Sequence, residues 1–238
     1  MVTFIEEKEK NPSKTLLDLK LIVKNIFKKK IPIEILGIEL NEEDISRLKE
    51  GIWLNNKIIS AYLEIVSKHF RKEGLNVFIL STHFYKNILE CDSFKIIDSF
   101  KNYNFKKYDF VVIPIHLKNH WTICIVDLEA RNFEYYDSIS SSSPKSNKNL
   151  NILRIIKKNF CKYSSPKFST FSLKDKSEFI PKQENSFDCG VYCCFYVRYR
   201  LENENFNFSQ NNTTILRNKI LHELYLGKIV YSNHFIFL

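Results

Sequence analysis

Apolar positions along this chain follow two rhythms, and the changes between them mark out its elements. Over residues 14 to 30, Leu16, Leu19, Val23, Ile26 and Phe27 recur at helical spacing and predict an amphipathic arm. Asn41-Glu42-Glu43-Asp44 reads as a capped helix start leading toward Trp53, and Ile58 to Phe70 as a long amphipathic helix. The pattern then shortens. Val77 to Leu80, Phe110 to Ile115, Trp121 to Asp127 and Phe133 to Tyr136 are rich in β-branched and aromatic residues, and read as strands. A Ser/Asn/Lys-rich loop over Ser138 to Asn149 precedes a helix over Leu150 to Phe160. Val191 to Leu201 is apolar enough for a buried helix, and residues 213 to 226 form a last helix stopped near Gly227. No internal repeat is visible. This order predicts an α+β fold with a mixed central β-sheet between helical layers.

Composition narrows the class. At 238 residues, 44% hydrophobic and 14% aromatic, the chain has enough apolar material for one domain with an ample core and is not a largely disordered protein. No run approaches the roughly 20 apolar residues that span a bilayer, and Met1 to Glu7 does not read as a secretory signal. Six cysteines without CxxC pairs fit a reducing compartment, nucleus or cytoplasm. The net charge of +9 comes from lysines spread along the chain, so no nucleic-acid partner is expected. Lys28-Lys29-Lys30 is the one tight cluster and reads as a solvated helix end.

The chemistry concentrates in Gln183-Glu184-Asn185-Ser186-Phe187-Asp188-Cys189-Gly190-Val191-Tyr192. Cys189 stands where the apolar helix begins, and a helix N-terminus together with an imidazolium favours the nucleophilic thiolate. Arg198 and Arg200 lie toward the other end, where cations suit the helix dipole. Gly190 leaves space for a substrate to approach the backbone. Six residues before the cysteine, Gln183 offers an amide for an oxyanion. His120 opens one strand, and the short Glu129-Ala130-Arg131 connection joins that strand to the next. A turn centred near Leu128 to Ala130 brings Asp137 opposite His120 or within a few residues of it, close enough to hold the imidazole. A zinc site at His116 and His120, four apart, fits poorly, because Val111 to Ile115 is strand-like and contains proline; no metal site is expected.

With these residues in place, the chain resembles the SUMO-specific cysteine proteases, the ubiquitin-like-protein proteases related to adenovirus-type proteases. The resemblance rests on Gly51 to Ile59, His120-Trp121, Asp137-Ser138 and Gln183 to Gly190, in the family's order, and covers roughly residues 40 to 228. It implies His120 as general base, Asp137 as its orienter and Cys189 as nucleophile. Gln183 with the Cys189 backbone N–H would form the oxyanion hole. Trp53 and Trp121 would flank a narrow tunnel for a Gly-Gly tail. Where the family usually carries aspartate after Trp-Leu-Asn, this chain has Asn56, which loses the charge-assisted part of a contact with the modifier. The expectation is a basic arm over residues 1–30 and a catalytic domain over 31–238. That domain would cleave after the Gly-Gly of SUMO as a monomer without a cofactor, for deconjugation and precursor maturation. Its partners would be SUMO, or another ubiquitin-like modifier, and the conjugates. The alternatives are a deneddylase or deubiquitinase on the same fold, an acyltransferase using the same triad, and a binding module that keeps only the fold.

Overall fold

Five strands build the central sheet in the order β3-β4-β5-β6-β7: β3 Val77–Ile79, β4 Phe110–Leu117, β5 His120–Asp127, β6 Asn132–Tyr136 and β7 Ser172–Asp175. The two outer pairings are parallel and the two inner ones antiparallel, so the sheet is mixed. The computed structural model describes residues 21, 25–26, 33–101, 105–139 and 147–231. The triple lysine, most of the 14–30 arm and much of the 138–149 loop lie outside the described residues, as does the boundary at residue 30. Of the arm's apolar positions, Ile26 is described and is buried in the core.

Side chains that alternate along β4 and β5 feed two separate cores. Val112, Trp121, Ile123 and Ile125 face one layer, built from α2 Asn56–Lys72, α6 Cys189–Glu202 and α7 Thr213–Leu226. Val111, Ile113, Ile115, Cys124 and Val126 face the other, built from α3 Phe84–Leu89, α4 Ser93–Lys101 and α5 Lys148–Tyr163. Burial on both faces explains why these strands read as continuous apolar runs. Pro114 is tolerated within β4 because β3 pairs only with Phe110 to Val112, leaving the proline a strand neighbour on one side alone.

Local sequence sets the ends of the elements. In the short helix α1, Glu42–Ser46, Asn41 accepts from the Asp44 N–H at 2.9 Å while Asp44 accepts from the Asn41 N–H at 3.0 Å. This reciprocal pair is a capping box with Asp in the usual Glu position. Gly227 ends α7 in the left-handed region, at φ 63°. Elements outside the sequence reading are the hairpin of β1 Ile33–Ile35 and β2 Ile38–Leu40, the helices α3 and α4, and the edge strand β7. The hairpin turns on Leu36 and Gly37, both with positive φ, as a two-residue reversal requires. Arg198 and Arg200 do more than complement a dipole. Arg198 is buried and pairs with Glu223 at 2.9 Å, and Arg200 bridges Asp127 and Glu134 beneath the sheet.

Phe160 on α5 is fully buried and meets the rings of Phe84, Phe100, Phe105, Phe133 and Phe168, with centroids 5.1–6.2 Å away. Phe160→Ala should therefore cost about 3–5 kcal/mol, through lost transfer energy and the cavity left behind. Urea denaturation checks this, with the midpoint expected to fall at a nearly unchanged slope.

Candidate active site

Helix α6 begins at Cys189, with Asp188 as its N-cap residue. The Asp188 carboxylate does not cap the helix. It turns away to accept from Arg217, Asn185 and Gln210, at 2.8, 2.7 and 2.8 Å. The Val191 and Tyr192 N–H groups donate to the Asp188 carbonyl, whereas the Cys189 N–H, first in the helix, has no turn before it to accept and stands at the electropositive end beside its own thiol. The thiol is buried, with 2% of the residue exposed. Gly190 has a different use from the substrate access expected of it: a Cβ there would lie 3.0 Å from the Leu54 Cβ. Its missing side chain admits Leu54, the residue after Trp53.

β5 starts at His120 and delivers it to the thiol. Asp127 pairs with Asn132 and Ile123 with Tyr136, so continuing this register sets Asp137 against Thr122, diagonal to His120. The diagonal closes as a 2.7 Å hydrogen bond between His120 Nε2 and Asp137 Oδ1. With Nε2 so engaged, Nδ1 is the nitrogen left for the hydrogen bond between His120 and Cys189. Asp137 is itself fixed: Oδ1 accepts from the Ile139 N–H, its own N–H donates to Ser177 Oγ, and its carbonyl accepts from Lys182 Nζ. Burial would lower the imidazole's pKa. The bonds to Asp137 and Cys189 and the charges on both outweigh burial and raise it to about 9. The imidazolium is thus the favoured form at neutral pH, and a cation beside a thiol at a helix N-terminus is what a thiolate needs.

Gln183 is 8% exposed, and its amide is oriented from both ends. Ser138 Oγ donates to its Oε1 at 2.5 Å, and its Nε2 donates to the Asn185 carbonyl at 2.6 Å. The second N–H of that amide makes no hydrogen bond among the described residues and is available to a ligand. Helix α6 also ties down this loop, since the hydroxyls of Tyr192 and Tyr196 donate to the carbonyls of Lys182 and Pro181.

Both tryptophan indoles are anchored to backbone carbonyls, one on the loop before Cys189 and the other on the residue after Trp53. Trp53 Nε1 donates to the Ser186 carbonyl at 2.7 Å, and Trp121 Nε1 donates to the Leu54 carbonyl at 3.1 Å. Trp121 is buried and lies against the His116 ring, 4.4 Å between centroids, whereas Trp53 is 41% exposed. Asn56 opens α2 beside His83, 3.5 Å from its Nε2. His116 lies on β4 paired with Trp121, and no cluster of three metal-ligating side chains occurs among the described residues.

The sequence pointed to Cys189, His120, Asp137 and Gln183 but not to the residues that bond to them or to their neighbours: Ser138, Ser177, Lys182, Asp188 and Arg217. One signal was available. Arg217 shares the α7 stripe of Ile220, Leu221 and Leu224, and an arginine at a core position needs a buried partner.

The raised pKa has a consequence for stability. A histidine whose folded pKa exceeds its unfolded value near 6.5 stabilises the fold fully below that value, and the contribution is lost as pH rises through about 9. Stability should decline between about pH 6.5 and 9, and in His120→Ala this part of the decline should disappear. Urea unfolding at several pH values measures both.

With the geometry established, the relatives fall into one group. Residues 52–227 match the Ulp1 protease family, C-terminal catalytic domain. A sentrin-specific protease of Caenorhabditis elegans is 24% identical over 204 residues, covering 83% of this chain and 29% of the worm protein. Sentrin-specific protease 2 of Rattus norvegicus is 26% identical over 257 residues, covering 94% of this chain and 41% of the rat protein. This chain thus spans less than half the length of those relatives. Among solved structures, the C-terminal Ulp1 protease domain in complex with Smt3, the yeast ortholog of SUMO, shares the fold. Its TM-score is 0.72 at 23% identity, covering 88% of this chain and 95% of that one. A helix-borne cysteine, a strand-borne histidine and the family match over residues 52–227 agree: this chain belongs to the Ulp1 protease family.

Proposed function

We propose that this chain is a thiol protease that cleaves after the C-terminal Gly-Gly of SUMO, releasing it from lysine conjugates and maturing its precursor. The observation that carries this reading is the hydrogen-bonded chain Cys189–His120–Asp137, with both tryptophan indoles anchored to residues next to it. The sulfur attacks the terminal glycine carbonyl, and the oxyanion that forms accepts from the Cys189 N–H and the free N–H of Gln183. As the C–N bond breaks, the His120 imidazolium gives its proton to the leaving amine, and a thioester remains on Cys189. Water, deprotonated by His120, then hydrolyses the thioester and regenerates the thiolate–imidazolium pair. Asp137 holds the ring's orientation throughout.

Trp53 and Trp121 would serve selection. Two flat rings leave room for an extended glycine backbone and reject residues with a Cβ, so specificity arises from exclusion. Such a tunnel favours a Gly-Gly-tailed protein over acetyl transfer, and the joint presence of Cys189, His120, Asp137 and Gln183 favours an enzyme over a binding module. Residence in the nucleus or cytoplasm, where conjugates form, accompanies this reading.

Cleavage of a panel of ubiquitin-like proteins carrying C-terminal fluorophores tests the substrate. SUMO should be turned over fastest, and preference for Nedd8 or ubiquitin would contradict the assignment. Cys189→Ala should abolish turnover while SUMO still binds. Gln183→Ala should lower kcat by roughly 10²–10³, the usual loss for one oxyanion donor. Restoring a carboxylate with Asn56→Asp should tighten SUMO binding by about 0.2–1 kcal/mol, the range of an exposed ion pair. The gain should shrink as salt rises. Titration of SUMO against Cys189→Ala protein at two salt concentrations reads this effect apart from catalysis, and equal affinities at low salt would contradict it.

A further inference from the structure

We propose that Arg217 is a positioning residue for the reaction, clamping the Trp53 segment to the loop that enters Cys189. It projects from α7, with 1% of its surface exposed, and its five N–H donors meet five acceptors. Nε donates to Asp188 Oδ1 at 2.8 Å. Nη1 donates to the carbonyls of Arg47 and Lys49, at 3.0 and 2.9 Å. Nη2 donates to those of Ile52 and Phe187, at 2.8 and 3.2 Å, and also lies 2.7 Å from Asp188 Oδ1. Residues 47–52 form no regular strand, so their carbonyls depend on such a donor.

The contacts fall in sequence along two facing segments. Ile52 joins Phe187 through the guanidinium, Trp53 joins Ser186 through its indole N–H, and Leu54 packs on Gly190. Tunnel wall and nucleophile therefore move as one body, with Arg217 closing the end of the zipper. At its other side Asp188 is held by Asn185 and Gln210, so the clamp does not pivot on a single bond. Stability is a weak reason to keep this pair, because apolar replacements of buried ion pairs are often neutral or better. Position is a stronger one. Misplacing a reacting bond by about 1 Å can cost roughly 10²-fold in rate.

Arg217→Lys separates position from charge. Lysine keeps a cation for Asp188 but has no planar fork to reach the loop carbonyls. We expect kcat on a fluorogenic SUMO to fall by about 10–100-fold, with KM and the alkylation rate of Cys189 by iodoacetamide, followed on its own peptide, close to wild type. Acrylamide quenching should increase, since the exposed tryptophan of the two is Trp53. Arg217→Met combined with Asp188→Asn, which leaves no unpaired buried charge, should show the same split and serves if the lysine variant does not fold. Unchanged kcat and quenching in a folded variant would overturn the proposal. So would alkylation falling as far as kcat, which would confine the effect to the nucleophile. The proposal rests on the protease reading, which turnover by the wild type tests; quenching and alkylation need no modifier and test Arg217 alone.

Discussion

The hydrogen bond between the Cys189 thiol and the His120 imidazole is the contact on which the rest of the structure bears. Its partners come from the first turn of a helix and the first residue of a strand, so neither element can shift without breaking it. The helix is held because nearly all of it is buried, with Val191, Tyr192, Cys194 and Tyr196 packed into one core. The strand is held because β5 lies in the middle of the sheet, hydrogen-bonded on both sides. Rigidity of this kind is what the proposed chemistry requires, since proximity catalysis needs the thiol and imidazole oriented before a substrate arrives.

Buried charges carry the second layer of constraint. Arg217 with Asp188, Arg198 with Glu223, and Arg200 with Asp127 and Glu134 each join elements far apart in sequence. Each of these carboxylates also accepts a further hydrogen bond from outside its ion pair, as a buried ion must if desolvation is to be offset. The three sets are centred on the helices α6 and α7, on the face of the sheet that carries Cys189. The opposite face relies on phenylalanine rings instead, and there packing density does the work that ion pairs do beside the site.

Much of this was legible in the sequence, and what was missed has a physical pattern. Long periodic segments gave α2, α5 and α7, and β-branched runs gave β4, β5 and β6, because burial dictates those patterns directly. The three-residue strands β1 and β2 and the polar edge strand Ser172–Asp175 are too short or too exposed to leave such a signal. At the site, the nearness of Cys189, His120 and Asp137 could be anticipated, because a helix start and a hairpin register bring a thiol, an imidazole and a carboxylate together from readable spacings. Ser138 and Lys182 could not, since a serine or lysine that orients a neighbour looks like any polar loop residue. Gly190 was read as an opening for substrate, yet the space belongs to Leu54; a glycine announces close approach without saying what approaches.

The central claim is that Cys189, activated by His120, attacks a carbonyl delivered through a tunnel that admits only Gly-Gly. Labelling with SUMO that carries an electrophile in place of its terminal carboxylate tests this directly, followed by peptide mapping of the adduct. One covalent adduct on Cys189 is expected, strongly slowed in His120→Ala and nearly absent when the SUMO tail ends in Ala-Ala. Labelling at the exposed Cys91 or the half-buried Cys161 instead, or equal labelling by the Ala-Ala tail, would contradict it.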